Sequence, residues 1–276
     1  MNYGLGRLFT LMNRESEPCP SFCHALPDNE GQGDLFGGDG KEKLEFPGID
    51  EADILVITGL YSPEGINFSA LPSNARRLFE LSVNAFGAIV HAWMSELPIQ
   101  AEIIRFGQRV LAATERQAAD RAATDRGDPD TRTVLDTAHK VWHEIHRLLG
   151  LLRFSTDENG MYIARCEPDH FVLPAFGPHF RERFGETSWV IIDEKRRLCL
   201  RRVAQAPFEL LPHTASLSTS AADVRNRGKT EEWEKIWRHY HRTINNESRN
   251  NPRLQRQFMP ERYWKYLPEL QAPPEL

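Results

Sequence analysis

The sequence predicts an α+β protein: a helical bundle packed on two β-hairpins that form a small antiparallel sheet, then a long C-terminal helix and a basic tail. Three observations carry this. Between residues 74 and 150 apolar side chains recur at helical spacing. After Gly150 the pattern shortens to two pairs of brief runs, each pair around a turn signal. From residue 231 helical spacing returns, with an apolar stripe on one side and arginines on the other.

In chain order, residues 1–51 are acidic and rich in Gly and Pro, with Gly31, Gly33, Gly37, Gly38 and Gly40 around Asp34-Leu35-Phe36. Such a segment buries too little apolar surface to offset its ordering entropy, so it reads as largely flexible, with Gly4 to Met12 as a short docking element. Residues 52–276 read as a single α+β domain. Asp53 to Leu60 fits one strand or a short helix equally well. Asn74 to Glu96 is helical up to the break at Pro98. A second helix places Ile99, Ile103, Phe106 and Val110 on one face and carries a charged tail to about Arg126. Gly127-Asp128-Pro129-Asp130 is a turn, and Asp130 or Thr131 caps the helix that follows. That helix, Thr131 to Gly150, has Ala138, Val141, Trp142, Ile145, Leu148 and Leu149 as its buried side and His139, His143 and His146 opposite.

The first hairpin pairs Leu151–Ser155 with Met161–Cys166 around Asp157-Glu158-Asn159-Gly160, because Asn-Gly favours a tight hairpin turn. After Glu167-Pro168-Asp169-His170 comes a short helix or a pair of turns with Leu173, Phe176, Phe180 and Phe184 inward, interrupted by Pro178. Ser188–Asp193 and Arg197–Val203 form the second pair. Residues 205–228 read as a loop, and Thr230 as the cap of the C-terminal helix. In that helix Trp233, Ile236, Trp237, Tyr240 and Ile244 make a buried stripe, while Arg238, Arg242, Asn245 and Arg249 make the outer one. Past the break at Asn250-Asn251-Pro252, Arg253, Arg256, Arg262 and Lys265 alternate with Phe258, Tyr263, Trp264 and Tyr266.

The chain has 276 residues and a formal net charge of −5. From Ile236 to Tyr266, however, there are seven Lys or Arg against two Glu, so positive charge is concentrated in segment 233–266. Guanidinium forks match phosphate oxygens, and rings beside them stack on unpaired bases. The candidate nucleic-acid-binding residues are therefore Arg238, Arg242, Arg249, Arg253, Arg256, Arg262, Tyr263, Trp264 and Lys265. The bland alternative is that the tryptophans are core and the arginines a salt-bridged rim.

No run approaches the roughly 20 apolar residues of a membrane span, and no leader pattern opens the chain, so the expected location is cytoplasmic. Four cysteines do not make a disulfide framework. Cys19 and Cys23 resemble the start of a radical-SAM cluster motif, but Leu26 stands where its third cysteine is required, so no iron–sulfur cofactor is expected. The three histidines of the 131–150 helix lack the H-E-x-x-H spacing of a zinc site, so no metal is assigned. Candidates for acid–base or metal-assisted chemistry are His146, Arg153, Glu167, Asp169, His170 and His179.

Four segments, HRLLGLLRF (His146 to Phe154), EPDHFVLPAFGPHFRERF (Glu167 to Phe184), WVIIDEKRRLCL (Trp189 to Leu200) and NPRLQRQFMPERYWKYLPE (Asn251 to Glu269), resemble the bacterial domain-of-unknown-function 4130 family. The likeness runs from roughly Leu78 to Glu269. It implies a role in DNA metabolism or repair and, as partner, a radical-SAM protein encoded nearby. Some members also carry a uracil-DNA-glycosylase-like domain, which is not expected in this chain. Three readings follow: a DNA-binding accessory protein in repair or modification, an enzyme acting on nucleic acid, and an adaptor that docks the radical-SAM protein.

Overall fold

The computed structural model describes residues 4–12, 49–157, 160–213 and 223–270. The glycine-rich acidic stretch with Cys19 and Cys23 lies outside the described residues. The docking element before it is helix α1 (Leu5–Met12), whose Leu5, Leu8, Phe9 and Met12 are all buried. Residues that fitted strand or helix equally form helix α2 (Glu51–Tyr61), because Asp50 and Asp53 close a reciprocal capping box at its start. The Asp53 carboxylate is fully buried and also accepts the Leu5 amide at 2.7 Å, so one side chain satisfies the beginnings of two helices. Phe9 stacks on Phe86 at 5.5 Å, Asn74 donates to the Phe9 carbonyl, and Met12 fills the space that a Cβ at Gly107 would occupy.

The stretch from Asn74 to Glu96 is two helices rather than one. Helix α3 (Ser73–Leu81) ends where Ser82 turns out of helical geometry, and the Ser82 hydroxyl caps α4 (Val83–Met94) by accepting from the Ala85 amide. The next stretch also divides, into α5 (Gln100–Leu111) and α6 (Arg116–Thr124). Helix α7 (Pro129–Leu151) starts earlier than expected: Asp128, not Asp130 or Thr131, is the cap, accepting from the Thr131 amide at 2.7 Å, with Pro129 pre-set in the first turn. Helix α7 packs on α4 and α5 through Val134, Ala138, Val141, Ile145 and Leu148.

Both expected hairpins are present. Strand β1 (Phe154–Thr156) pairs antiparallel with β2 (Tyr162–Cys166), and β3 (Trp189–Asp193) pairs antiparallel with β4 (Leu198–Arg202). They join through β2 and β3, which run parallel, so the five-stranded sheet, ordered β1-β2-β3-β4-β5, is mixed rather than antiparallel. Helix α8 (Leu173–Phe184) supplies the crossover that a parallel pair requires. It runs through Pro178 without ending. Strand β5 (Glu209–Pro212) occupies part of the stretch expected to be loop. Every residue of β3 is buried: Trp189 and Ile191 join the main core, and Val190 and Ile192 join a smaller cluster with Cys199 on the opposite face.

Helix α9 (Asp223–Ile244) places Thr230 inside it rather than at its cap. Asn251 caps helix α10 (Pro252–Phe258), and the described residues end with 3-10 turns at Glu261–Tyr266 and Pro268–Leu270. Replacing Asp53 with Ala leaves the first amides of α1 and α2 without their acceptor. Hydrogen exchange should then accelerate at Leu8 and Phe9 while the amides of α7 keep their protection. Unchanged protection at Leu8 would mean that α1 is held by its apolar contacts alone.

Candidate functional site

The last helical turns of α7, the 167–170 loop and the closing 3-10 turns meet at one carboxylate. Glu144 falls three residues after Val141 and four before Leu148, which turns it toward the packed side of α7, and its side chain is 3% exposed. Its Oε1 accepts from the Asp169 amide at 2.8 Å and from the Tyr263 hydroxyl at 2.7 Å, with the Arg262 guanidinium at 3.4 Å, while Oε2 accepts from the His170 amide at 2.9 Å. Burial and the adjacent Glu144 charge push the Tyr263 hydroxyl pKa upward, so this hydroxyl stays a donor.

Around this carboxylate the loop is held from several sides. Arg196, buried against Asp193 at 2.9 Å, also pairs with Glu96 and donates to the carbonyls of Pro168 and Asp169. Lys195 reaches the same Asp169 carbonyl at 2.9 Å. The Asp169 carboxylate pairs with Arg262 at 2.5 Å, and Glu167 pairs with Lys265 at 2.5 Å. Tyr266 donates to Glu194 at 2.6 Å.

The sequence-predicted chemistry residues therefore divide. Glu167, Asp169 and His170 come together, but as members of a satisfied structural network: His170 Nδ1 lies 3.2 Å from the Ser95 carbonyl and its amide is bound to Glu144. His146 is exposed on α7 beside Trp142, and His179 is exposed on α8 against Phe180. Burial and the Arg183 charge lower the His179 pKa. Arg153 belongs to a different contact, hydrogen-bonding Glu269 at 2.6 Å with its guanidinium 5.7 Å over the Trp237 ring. The six do not form one cleft. A cleft of about 530 Å³ between α2, α8 and the β4–β5 connection is lined by Thr58, Ser62, Glu64, Arg181, Arg202 and Phe208, among others, and includes none of them. Among the described residues no three His, Cys, Asp or Glu side chains come together as a metal site.

The basic residues divide as well. Arg256 pairs with Glu261 at 2.8 Å, and Arg262 and Lys265 are committed to the network above. Tyr263 is buried, and Trp264 is half-buried with its indole donating to the Met259 carbonyl. Arg238 is half-buried and already has an interaction partner. Arg242, Arg249 and Arg253 are exposed.

The apolar stripe of α9 is not buried as expected. Ile236 is 57% exposed, Tyr240 51% and Ile244 58%; among the described side chains of the stripe, Trp237, at its edge, is the one that docks, beneath Arg153 and beside Glu269. The Trp233 side chain lies outside the described residues. On α10, Leu254 and Phe258 are exposed too. Periodicity grouped these residues correctly on one face, but the body of the protein reaches only that face's edge.

Burial alone would raise the Glu269 pKa, but the Arg153 guanidinium, a backbone amide and the Trp237 indole together outweigh it and hold this carboxyl below its usual range. Glu269 Oε2 is buried with no hydrogen-bond partner among the described residues.

The described helices include none long and apolar enough to cross a membrane. Cys166 and Cys199 are free and buried.

A model of a domain of unknown function, DUF4130, matches residues 103–269. The chain belongs to that family. The DUF4130 match begins inside α5 and ends at Glu269, so it takes in α7, the sheet, α8 and both closing contacts, Glu144 with Tyr263 and Arg153 with Glu269. No curated protein and no solved structure matches the chain.

Sequence reasoning missed Glu144, Asp193 and Arg196. Glu144 had a signal, since it shares the arc of Val141 and Leu148; Asp193 and Arg196 had none, being charged residues at an expected turn. Glu144→Ala strands two backbone amides, the Tyr263 hydroxyl and a guanidinium. It should cost about 3–5 kcal/mol, the range for breaking a buried charged pair. Tyr263→Phe removes two hydrogen bonds, one donated to Glu144 and one accepted from Arg262, leaves the carboxylate its other donors, and should cost about 1.5–3 kcal/mol. Urea unfolding distinguishes them, and equal small losses would mean that the carboxylate is not the organising group. A folded-state pKa held low means the Arg153–Glu269 contact stabilises above the unfolded carboxylate value of about 4.3 and is lost as pH falls through the lower folded value. Trp237 fluorescence, taken as the difference from Trp237→Phe, should report release of α9 only in that acid window.

Proposed function

We propose that this chain binds nucleic acid through the arm formed by α9 and α10, preferring unpaired strands, and serves as a DNA-binding accessory protein. The observation that carries this reading is joint exposure: Arg242, Arg249 and Arg253 lie on the same arm as the exposed rings of Trp237, Tyr240 and Phe258. Phosphates need accessible guanidinium groups and bases need accessible ring faces. The committed side chains of Arg256, Arg262, Tyr263, Trp264 and Lys265 leave the binding surface smaller than the sequence suggested, and centred on residues 237–258. A role in repair, with a radical-SAM protein as partner, is what the family resemblance implies and fits this reading. The satisfied state of Glu167, Asp169 and His170 favours binding over bond-breaking by that cluster.

A second reading rests on Ile236, Ile244 and Leu254, exposed aliphatic side chains that a polyanion does not use. These suit a protein partner, such as the radical-SAM protein, docked on the apolar face while the arginines stay free.

Single-stranded oligonucleotide affinity should fall with salt, with log K changing by about −0.7 per log salt for each phosphate contacted. Replacing Arg242, Arg249 and Arg253 together with Ala should flatten that slope by about 2. Binding that ignores salt, or no binding by the intact chain at low salt, would remove the nucleic-acid reading. Loss of a protein complex in Ile236→Asp with unchanged oligonucleotide affinity would establish the apolar face as a separate surface.

A further inference from the structure

Helix α7 was expected to bury Trp142, yet this indole is 44% exposed. It stands between two histidine rings in near-parallel array: His146 lies 5.5 Å away at 4° between planes, and His139 lies 6.4 Å away at 13°. His143 sets its edge against both Trp142 and His139, with Nε2 atoms of the two histidines 3.0 Å apart. Four flat side chains thus share one open helix face. A large aromatic left in water is uncommon on a helix surface that charged residues normally occupy, and a contiguous set marks a recognition surface.

The charge beside these rings is mostly positive: the exposed Asp136, one turn before His139, pairs with Arg126 at 2.7 Å. Between Thr137 and Thr156 the only carboxylate is Glu144, which is turned inward and 3% exposed. The basic residues of the same stretch are Lys140, Arg147 and Arg153, and the first two lie seven residues apart along one flank of the ring face. In a chain with 39 acidic and 34 basic residues, a helix face of rings and cations with no outward carboxylate beyond Asp136 is a local exception.

The end of this helix leads to the arm. Arg153 lies two residues beyond the last residue of α7, past the extended Leu152. Its guanidinium reaches back to the Gly150 carbonyl at 2.9 Å and lies over the Trp237 ring of α9. On α7 the row of rings is His139, Trp142 and His146, and just beyond the helix Arg153 meets Trp237 of the arm.

We propose that His139, Trp142 and His146 form a base-stacking platform, with Lys140 and Arg147 taking phosphates, and that it extends the single-strand track of the α9–α10 arm past Trp237. The ligand class is a single-stranded nucleic acid with unpaired bases; a duplex hides the base faces that these rings would take up. This inference rests on the nucleic-acid reading above and adds a second, physically separate contact to it.

The test uses the full chain and a fluorescent single-stranded oligonucleotide carrying photoreactive 5-iodouracil. Crosslinks should map to the α7 peptide containing Trp142 as well as to α9–α10. Trp142→Ala should weaken binding about ten-fold, the usual loss when a stacking ring is removed, and Trp142→Phe should recover much of it. Because Trp142 is exposed, the Ala variant should keep its thermal unfolding midpoint. Trp142→Ala that binds as tightly as the parent, with crosslinks confined to the arm and binding lost in the triple arginine variant, would overturn the platform and leave the arm reading intact. Failure of the parent chain to bind at low salt would overturn both.

Discussion

The Glu144 carboxylate is the interaction on which the rest of this structure depends. Taking a carboxylate out of water costs several kcal/mol, and the cost is offset only where donors converge on it. Here two amides of the 167–170 loop, the Tyr263 hydroxyl and the Arg262 guanidinium do so. None of these groups is near Glu144 in the chain, so the carboxylate can be buried only when α7, the loop and the closing turns are assembled together. The loop in turn fixes Arg196, which is nearly buried and ties the β3–β4 turn to Glu96 beyond α4. One charge thus couples the helical half to the sheet.

That coupling explains how the basic residues are shared out. The 3-10 turns after α10 are part of the packed body, with Tyr263 and Leu267 fully buried, rather than a basic tail. Arg262 and Lys265 sit next to these anchors and are drawn into pairs with Asp169 and Glu167. At the other end Trp237 is held by Arg153 and Glu269. Between the two attachments, α9 past Trp237 and α10 lie over little of the body, and Arg242, Arg249 and Arg253 are exposed there. Proximity to an anchor decides which cations are used internally.

The positions of the main helices, the two hairpins and the break at Asn250-Asn251-Pro252 were legible because each rests on local signals: a 3.6-residue period, an Asn-Gly turn, a proline after a polar pair. What was not legible depended on long-range placement. Periodicity tells which residues share a face but not whether anything covers it, so Trp142 and the stripe of Ile236, Tyr240 and Ile244 were expected inside and lie outside. The parallel pairing of β2 with β3 required knowing that α8 packs back on the sheet. Glu167, Asp169 and His170 looked like chemistry because they are adjacent in the chain, yet each has its partners already, and only coordinates can reveal that a carboxylate is occupied.

Glu144 has one more consequence, at the surface. Had the carboxylate stood one position earlier along α7, at the exposed place of His143, the helix would carry a more mixed-sign exterior there. Turned inward, it removes the only negative charge between Thr137 and Thr156 from the outer face, leaving rings and cations there. The make-up of this face and the packed junction beneath it are therefore not independent features. The side chain that closes the fold on one side of α7 is also the one whose inward turn leaves the other side to rings and cations, so a variant at this position would bear on the packing and on the charge of α7 together, whereas one at Trp142 would touch the surface alone.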